Sequence, residues 1–166
     1  MSEAQRTRVA AYALVRDADG RILLCRIAPS VVAGEVWTLP GGGLEFGEQP
    51  DAAVLREMAE EAGYRGEVVA LADVYSRTLP DSDEGGRLHA IRIVYRVRIT
   101  GGEIRDEVDG TTDTCAWFTL EDARSLRLGH LAKRALALAA ADRPAGDAAD
   151  GAPADSAAPS HATDDA

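Results

Sequence analysis

The chain contains little cysteine, no long apolar run and fewer basic than acidic residues. Its two cysteines, Cys25 and Cys115, lie far apart and match neither a zinc-site spacing nor a disulfide framework, so we expect two inert thiols. No stretch approaches the roughly 18 uncharged apolar residues that a membrane span needs. The apolar run at 9–14 is broken by Arg16 and Asp17 and has no cleavage site, which indicates a strand rather than a signal peptide. These features predict a soluble protein of the reducing cytoplasm.

The negative charge is divided between a folded part and a tail. The net charge is −10, and residues 142–166 contain six aspartates and one arginine, which leaves −5 for residues 1–141. The tail has no branched aliphatic side chain to bury, so we predict one folded domain at 1–141 and a disordered acidic tail at 142–166. An acidic surface repels nucleic acid phosphates and argues against a nonspecific nucleic-acid binder. It is compatible with a phosphate substrate, because divalent cations can reverse the local field.

Strand patterns dominate the folded part. Apolar and polar residues alternate or cluster in segments that predict strands at 9–15, 21–27, 36–39, 68–75, 89–99 and 115–118. Helical periodicity runs from Pro50 to Ala62, with Pro50 suited to the first turn and Gly63 to the C-terminal cap, and a closing helix is predicted at 131–140. The segment 77–87 is rich in turn formers and is predicted to be a loop. The pattern predicts a strand-rich mixture of α and β structure without the βαβ alternation of a Rossmann fold.

The helix predicted at 50–62 has an apolar and an acidic face. Glu57, Glu60 and Glu61 fall within an arc of about 100° opposite the apolar residues. Like charges three or four positions apart cost a few tenths of a kcal/mol per pair, so the arc is either a solvated surface or a cation site. The glycines at 41–43 allow close backbone approach to a ligand, and Glu48 lies just before the helix, which favours the cation site.

The segment from Gly42 to Tyr64 resembles the Nudix box, G-x5-E-x7-R-E-U-x-E-E-x-G-U, where U is a bulky apolar residue. All nine fixed positions are met without a gap, by Gly42, Glu48, Arg56, Glu57, Met58, Glu60, Glu61, Gly63 and Tyr64. The resemblance extends less specifically over residues 8–128. It implies the α+β Nudix fold, an α/β/α sandwich with a mixed β-sheet between helices and the box as a loop–helix–loop.

The resemblance also implies an activity and a set of site residues. The expected enzyme is a metal-dependent pyrophosphohydrolase that cleaves a phosphoanhydride bond in a nucleoside diphosphate linked to another group, by attack of water on phosphorus. The ligands of Mg²⁺ or Mn²⁺ would be the backbone carbonyl of Gly41 and the carboxylates of Glu57, Glu60 and Glu61. Glu48 would support the metal shell or its water, and Arg56 would hold the helix carboxylates in place.

Residues outside the box give weaker indications. Members of the family often carry an additional catalytic acid before the last strand; Glu107 is our candidate and Asp109 the second, with a solvated loop acid as the alternative. ADP-ribose-cleaving members commonly have a proline sixteen residues past the box, a spacing that Pro80 matches. The substrate is therefore predicted to be a nucleoside triphosphate or a compound of the ADP-ribose or nucleotide-sugar type. The arginines at 92, 96 and 98 are expected to form a solvated strand face.

Two other interpretations stay open. A diphosphate isomerase of the Nudix fold is disfavoured by the complete box and by the lack of an evident catalytic Cys/Glu pair. A non-catalytic nucleotide-binding or sensor module is disfavoured by the intact carboxylates and by the lack of an attached DNA-binding domain. The expected partner is a small-molecule nucleotide, with no nucleic acid and no membrane, and a homodimer is left open.

Overall fold

The computed structural model describes residues 4–81, 85–107 and 110–142. The strands in chain order are β1 (Gln5–Leu14), β2 (Ile22–Ile27), β3 (Trp37–Thr38), β4 (Gly41–Gly43), β5 (Tyr64–Pro80), β6 (Arg87–Gly102) and β7 (Thr112–Phe118). The helices are α1 (Pro50–Ala62), α2 (Leu120–Ser125) and α3 (His130–Ala141). The predicted tail, apart from residue 142, lies outside the described residues. In the part of the chain that is described, no helix is long and apolar enough to cross a membrane.

The strands form two sheets, one mixed and one antiparallel. The mixed sheet has the order β4-β1-β6-β5, and the antiparallel sheet has the order β3-β2-β7. In the mixed sheet, β1 pairs with β6 in parallel, whereas β4 and β5 pair with their neighbours antiparallel. The parallel pairing of β1 with β6 is a long-range contact between segments some eighty residues apart in the sequence.

Side chains alternate between the two sides of each strand, and the central strands are packed on both sides. On β2, Leu23 and Cys25 pack in the core beneath α1, whereas Ile22 and Leu24 pack in the core with α3. The apolar side of α1 is buried completely at Val54 and Met58. This arrangement of helices on either side of the strands confirms the predicted α+β sandwich.

The helix α1 has the bounds that its sequence pattern predicted. It begins at Pro50, whose missing N–H costs nothing in the first turn. It ends at Gly63, which adopts the left-handed conformation with φ of 75° and donates its N–H to the carbonyl of Ala59. Pro50 and Gly63 therefore set the two ends of α1 through their backbone properties. The position of these ends determines which side chains of α1 face β4.

The predicted loop at 77–87 is wrong at both ends. Residues 77–80 extend β5, and Arg87 begins β6, with Arg77 opposite Ala90 and Pro80 opposite Arg87. Because β5 lies at the edge of its sheet, its polar side chains can be solvated. Pro80 has no N–H to donate, and an edge strand tolerates a proline because one side of the strand has no partner strand. Polarity was therefore a poor guide to loop structure in this segment.

The expectation of two separate, inert thiols is also wrong, because Cys25 and Cys115 form a disulfide. The antiparallel register of β2 and β7 places the two residues directly opposite each other, and both are buried. Sequence spacing gave no sign of the bond because it depends on the register of two strands that are 90 residues apart. The cysteines consequently no longer support a reducing compartment.

Candidate active site

The glycine segment β4 and the acidic side of α1 are in direct contact. The N–H of Gly41 donates a hydrogen bond of 2.8 Å to Oε2 of Glu61. A side chain at position 42 would bring its Cβ within 2.6 Å of Oε1 of Glu57. Position 41 favours glycine because its φ is 138°, and position 42 favours glycine because a side chain there would meet the carboxylate of Glu57. The backbone of β4 can therefore approach the carboxylates of α1 closely.

Arg56 holds several oxygens of the box at once. Its Nε and Nη2 donate to the two carboxylate oxygens of Glu48, each at 2.9 Å. Its Nη1 donates at 3.1 Å to Glu57 and at 3.1 Å to Glu60, and Nη2 reaches the carbonyl of Gly43 at 3.2 Å. The fork geometry of a guanidinium suits this arrangement, and Arg56 therefore connects the loop before α1 to the carboxylates on it.

Glu48 is an ionised partner of Arg56. The hydrogen bonds from Arg56, together with one from the N–H of Glu45, lower the pKa of Glu48 to about 2. Both of its oxygens are engaged in these bonds. In this structure Glu48 consequently acts on the site through Arg56.

Glu61 is an acid in an environment that disfavours its charge. Its side chain is only 2% exposed, and burial raises its pKa to about 8. Hydrogen bonds from Gly41 and Thr112 oppose that rise, and the negative charges of Glu57 and Glu107 add to it. Burial likewise raises the pKa of Glu57, with Arg56 opposing the rise and Glu107 adding to it. Glu60 is half-exposed and lies at the rim.

Glu107, the predicted acid outside the box, lies beside these carboxylates. Its Oε2 accepts a hydrogen bond of 3.3 Å from the hydroxyl of Thr112, at the start of β7. Its charge is close enough to raise the pKa values of both Glu57 and Glu61. The second candidate, Asp109, lies outside the described residues.

The donor set matches the needs of a hard divalent cation, although it is not yet arranged around one. Among the described residues, no three acidic, imidazole or thiol side chains already converge on a common point. Glu57 and Glu60 instead share the Nη1 group of Arg56. The negative charge of Glu107 nevertheless raises the pKa values of Glu57 and Glu61, and the charge of Glu57 adds to the rise at Glu61, so a cation among these carboxylates would relieve a repulsion that the protein contains.

A cavity of about 400 Å³ opens beside Glu61 and the glycine segment. One part of its wall is apolar, with Ile27, Val31 and Leu131. Another part is basic and is formed by Arg8, Arg77, Arg92 and His130. The sequence did not predict that these four residues lie together. The arginines at 92, 96 and 98, which were predicted to form one solvated face, have different surroundings, since Arg92 alone of these three lines the cavity. Arg96 instead pairs with Asp142, and Arg98 with Glu67.

Pro80 is not among the residues that line this cavity. It ends β5 opposite Arg87, at the far end of the strand from the box. The position of this proline therefore adds nothing to the choice of substrate.

The fold is a sandwich in which α1 carries glutamates that Arg56 holds by hydrogen bonds, and this combination defines a class of protein. Comparison with known proteins agrees with that class. The profile of the NUDIX domain family matches residues 6–139. The chain belongs to the Nudix family.

Several relatives and solved structures are similar to the chain. An ADP-ribose pyrophosphatase of Methanocaldococcus jannaschii is 36% identical over 112 residues, which are 68% of this chain and 62% of that protein. A putative mutator protein, MutT4, of Mycobacterium tuberculosis is 36% identical over 105 residues, which are 61% of this chain and 40% of that protein. The chain thus spans less than two thirds of the length of these curated relatives. The crystal structure of a MutT NUDIX hydrolase from Burkholderia pseudomallei is 30% identical with a TM-score of 0.61, covering 80% of this chain and 97% of that one.

The fold likeness extends to more distant members. The NUDIX domain of NrtR from Shewanella oneidensis, solved with ADP ribose, has a TM-score of 0.64 at 18% identity. It covers 84% of this chain and 88% of that one. At this identity the comparison bears on the fold alone.

Proposed function

We propose that the protein is a metal-dependent pyrophosphohydrolase that cleaves a phosphoanhydride bond in a nucleoside diphosphate linked to another group. The observation that carries this proposal is the group of carboxylates formed by Glu57, Glu61 and Glu107 beside an open cavity. Carboxylates whose charges repel weaken the fold unless a cation or a proton joins them, and acids with a raised pKa beside a cavity, such as Glu57 and Glu61, are typical of catalytic sites.

The metal would be Mg²⁺ or Mn²⁺. It would be held by Glu57 and Glu61, with Glu60 at the rim and the backbone carbonyl of Gly41 as a further oxygen ligand. When bound, such an ion polarises a phosphoryl oxygen and lowers the pKa of a water. The chain's own contribution is to fix the donors, since Gly41 orients Glu61 and Arg56 restrains Glu57.

Glu107 is the proposed proton acceptor for the attacking water. Among the described residues, the hydroxyl of Thr112 donates to Oε2 of Glu107, and Oε1 is the oxygen that we propose accepts the proton. Glu48 and Arg56 are positioning residues in this proposal, because each oxygen of Glu48 is already bonded.

The substrate class comes from the cavity and from the relatives. The apolar wall formed by Ile27, Val31 and Leu131 suits a base, and the basic wall suits phosphate. The relatives include a protein named ADP-ribose pyrophosphatase and one named as a mutator protein of the MutT type. We therefore propose a nucleoside triphosphate or an ADP-ribose-type compound. A cytoplasmic location and a homodimer stay predictions.

The test is a panel of nucleoside triphosphates, ADP-ribose and nucleotide sugars, incubated with Mg²⁺ or Mn²⁺ and resolved by chromatography. We expect Glu57→Gln and Glu61→Gln to lower turnover at least a hundredfold while folding normally. Glu67→Gln is the matched control, because Glu67 is a half-exposed partner of Arg98 on β5. A wild-type protein that binds nucleotides but cleaves none would favour the non-catalytic module. Turnover unaffected by a chelator would contradict the metal dependence.

A further inference from the structure

Three arginines on three neighbouring strands point toward the same cavity. Arg8 on β1 and Arg77 on β5 both lie opposite Ala90 of β6, one on each side of that strand. Arg92 follows Ala90 by two positions and therefore lies on the same side of the sheet. All three line the cavity that Glu61 also lines. The strand register thus collects three guanidinium groups that are scattered over 85 residues of sequence.

Several arginines of the chain have no acidic partner among the described residues, and three of them, Arg8, Arg77 and Arg92, line this cavity. Within the described ranges, none of the three forms an ion pair with a carboxylate. By contrast, Arg26 pairs with Asp113 and Arg134 pairs with Asp73. Arg8 lies over Gly43, whose added Cβ would be 3.1 Å from the guanidinium, so it reaches the edge of the box. In a chain with a net charge of −10, three cations without carboxylate partners at one cavity are a sign of an external anion.

The surroundings of the arginines reinforce this interpretation. Arg92 lies over the ring of Tyr75, 5.8 Å from its centroid, and the ring of Tyr75 contacts His130 at 5.7 Å between centroids. His130 also lines the cavity. Burial lowers the pKa of its imidazole, and the positive charges of Arg77 and other cations lower it further. The imidazole is therefore neutral at pH 7 and does not add to the charge that an anion must balance.

We infer that Arg8, Arg77 and Arg92 form an anion subsite for a substrate phosphate other than those of the scissile anhydride. The inference rests on the proposed function, which assigns the scissile diphosphate to the metal-binding carboxylates of α1. When the substrate is a diphosphate linked to a neutral sugar, the three guanidinium groups have no counter-charge. A third phosphate supplies that negative charge, and its oxygens have the geometry that the guanidinium group of arginine binds. The subsite therefore makes nucleoside triphosphates the preferred substrate class over ADP-ribose-type compounds.

The first test measures binding without any metal, so that the arginines act alone. Inorganic tripolyphosphate is titrated calorimetrically into the full chain in the presence of EDTA. We expect Arg77→Gln and Arg92→Gln each to weaken binding by roughly tenfold or more, the size typical of one lost charge-assisted hydrogen bond. Arg98→Gln is the matched control, since Arg98 lies on the same strand as Arg92 and pairs with Glu67 on the surface; it should change binding less than twofold.

The second test measures specificity in the metal-loaded protein. The ratio of kcat/KM for a nucleoside triphosphate to that for ADP-ribose should fall at least tenfold in the Arg77 and Arg92 variants. The value for ADP-ribose should also fall, because its diphosphate lies in the same cavity, but by a clearly smaller factor than the value for the triphosphate. Arg77→Lys, which keeps the charge, should recover part of the ratio, and circular dichroism identifies any variant that fails to fold.

The outcomes separate this inference from the proposed function. Equal losses for the two substrates, or an equal weakening of tripolyphosphate binding by Arg98→Gln, would overturn the subsite while leaving the hydrolase intact. Arginine-dependent binding of tripolyphosphate by a protein that cleaves no nucleotide would support the subsite and overturn the proposed function.

Discussion

Replacing Glu61 by glutamine should stabilise the metal-free protein at alkaline pH while removing its activity. Glu61 is almost fully buried, and burial raises its pKa to about 8 from an ordinary value of 4.5. A raised pKa means that folding favours the protonated acid, so its contribution to stability is complete below about pH 4.5 and is lost as the pH rises through 8. Glutamine has nearly the same shape and can still accept the N–H of Gly41, but it carries no charge to bury.

The size of the effect follows from the two pKa values. One pKa unit corresponds to about 1.4 kcal/mol, so the contribution of Glu61 becomes less favourable by about 4 kcal/mol between pH 5 and pH 9. The glutamine variant lacks this dependence. Its advantage over the wild type should therefore grow across that range, by up to about 4 kcal/mol and by less where water enters the site.

The assay is urea unfolding in EDTA at several values between pH 5 and pH 9. Glu67→Gln again serves as the control, because it removes a carboxylate charge at the surface and leaves the buried site unchanged. Adding Mg²⁺ should reduce the advantage of Glu61→Gln, since the ion stabilises only a protein that retains its ligands. A difference between wild type and Glu61→Gln that stays constant with pH, or a variant that is less stable at pH 9, would refute the reasoning.

Three further predictions concern the supports of the site. Gly42→Ala should lower kcat/KM at least tenfold with little loss of stability, because the new methyl group displaces the carboxylate of Glu57; unchanged kinetics would contradict this. Arg56→Lys should lower kcat and reduce the free energy of unfolding by about 1–3 kcal/mol, since an ammonium group cannot hold so many oxygens at once; denaturant titration with steady-state kinetics measures both. Thiol titration of the unfolded, unreduced chain should find no free Cys25 or Cys115, and reduction should lower stability by about 2–4 kcal/mol.

The helix of the box was predictable because its information is local. Pro50 and Gly63 mark its ends by backbone chemistry, and the spacing of Glu57 and Glu61 places both on one side. Arg56 was likewise expected to orient the carboxylates, and in the structure it donates hydrogen bonds to Glu57 and Glu60. Features within about one helical turn of each other can be inferred from the sequence, because helix geometry is nearly invariant.

The cavity and the disulfide were not predictable because they depend on strand register. Arg8 and Arg92 line one cavity because β1 and β6 pair in parallel, and neither strand contains a signal for that partner. Cys25 lies opposite Cys115 because β2 and β7 pair antiparallel in one particular register. Burial patterns restrict which face of a strand points inward, but they do not say which strands are neighbours.

The site brings opposite charges to one cavity, and the fold supports each set differently. The acidic side chains lie on α1, where Met58 and Ala62 anchor in the core the same helical turn that carries Glu61. The basic side chains lie on the extended strands, where Arg77 and Arg92 have no carboxylate partner among the described residues. A metal bound by the carboxylates and a phosphate bound by the arginines would satisfy both sets of charges together. A ligand that carries both would therefore relieve the repulsion among the carboxylates and neutralise the arginines in one binding event.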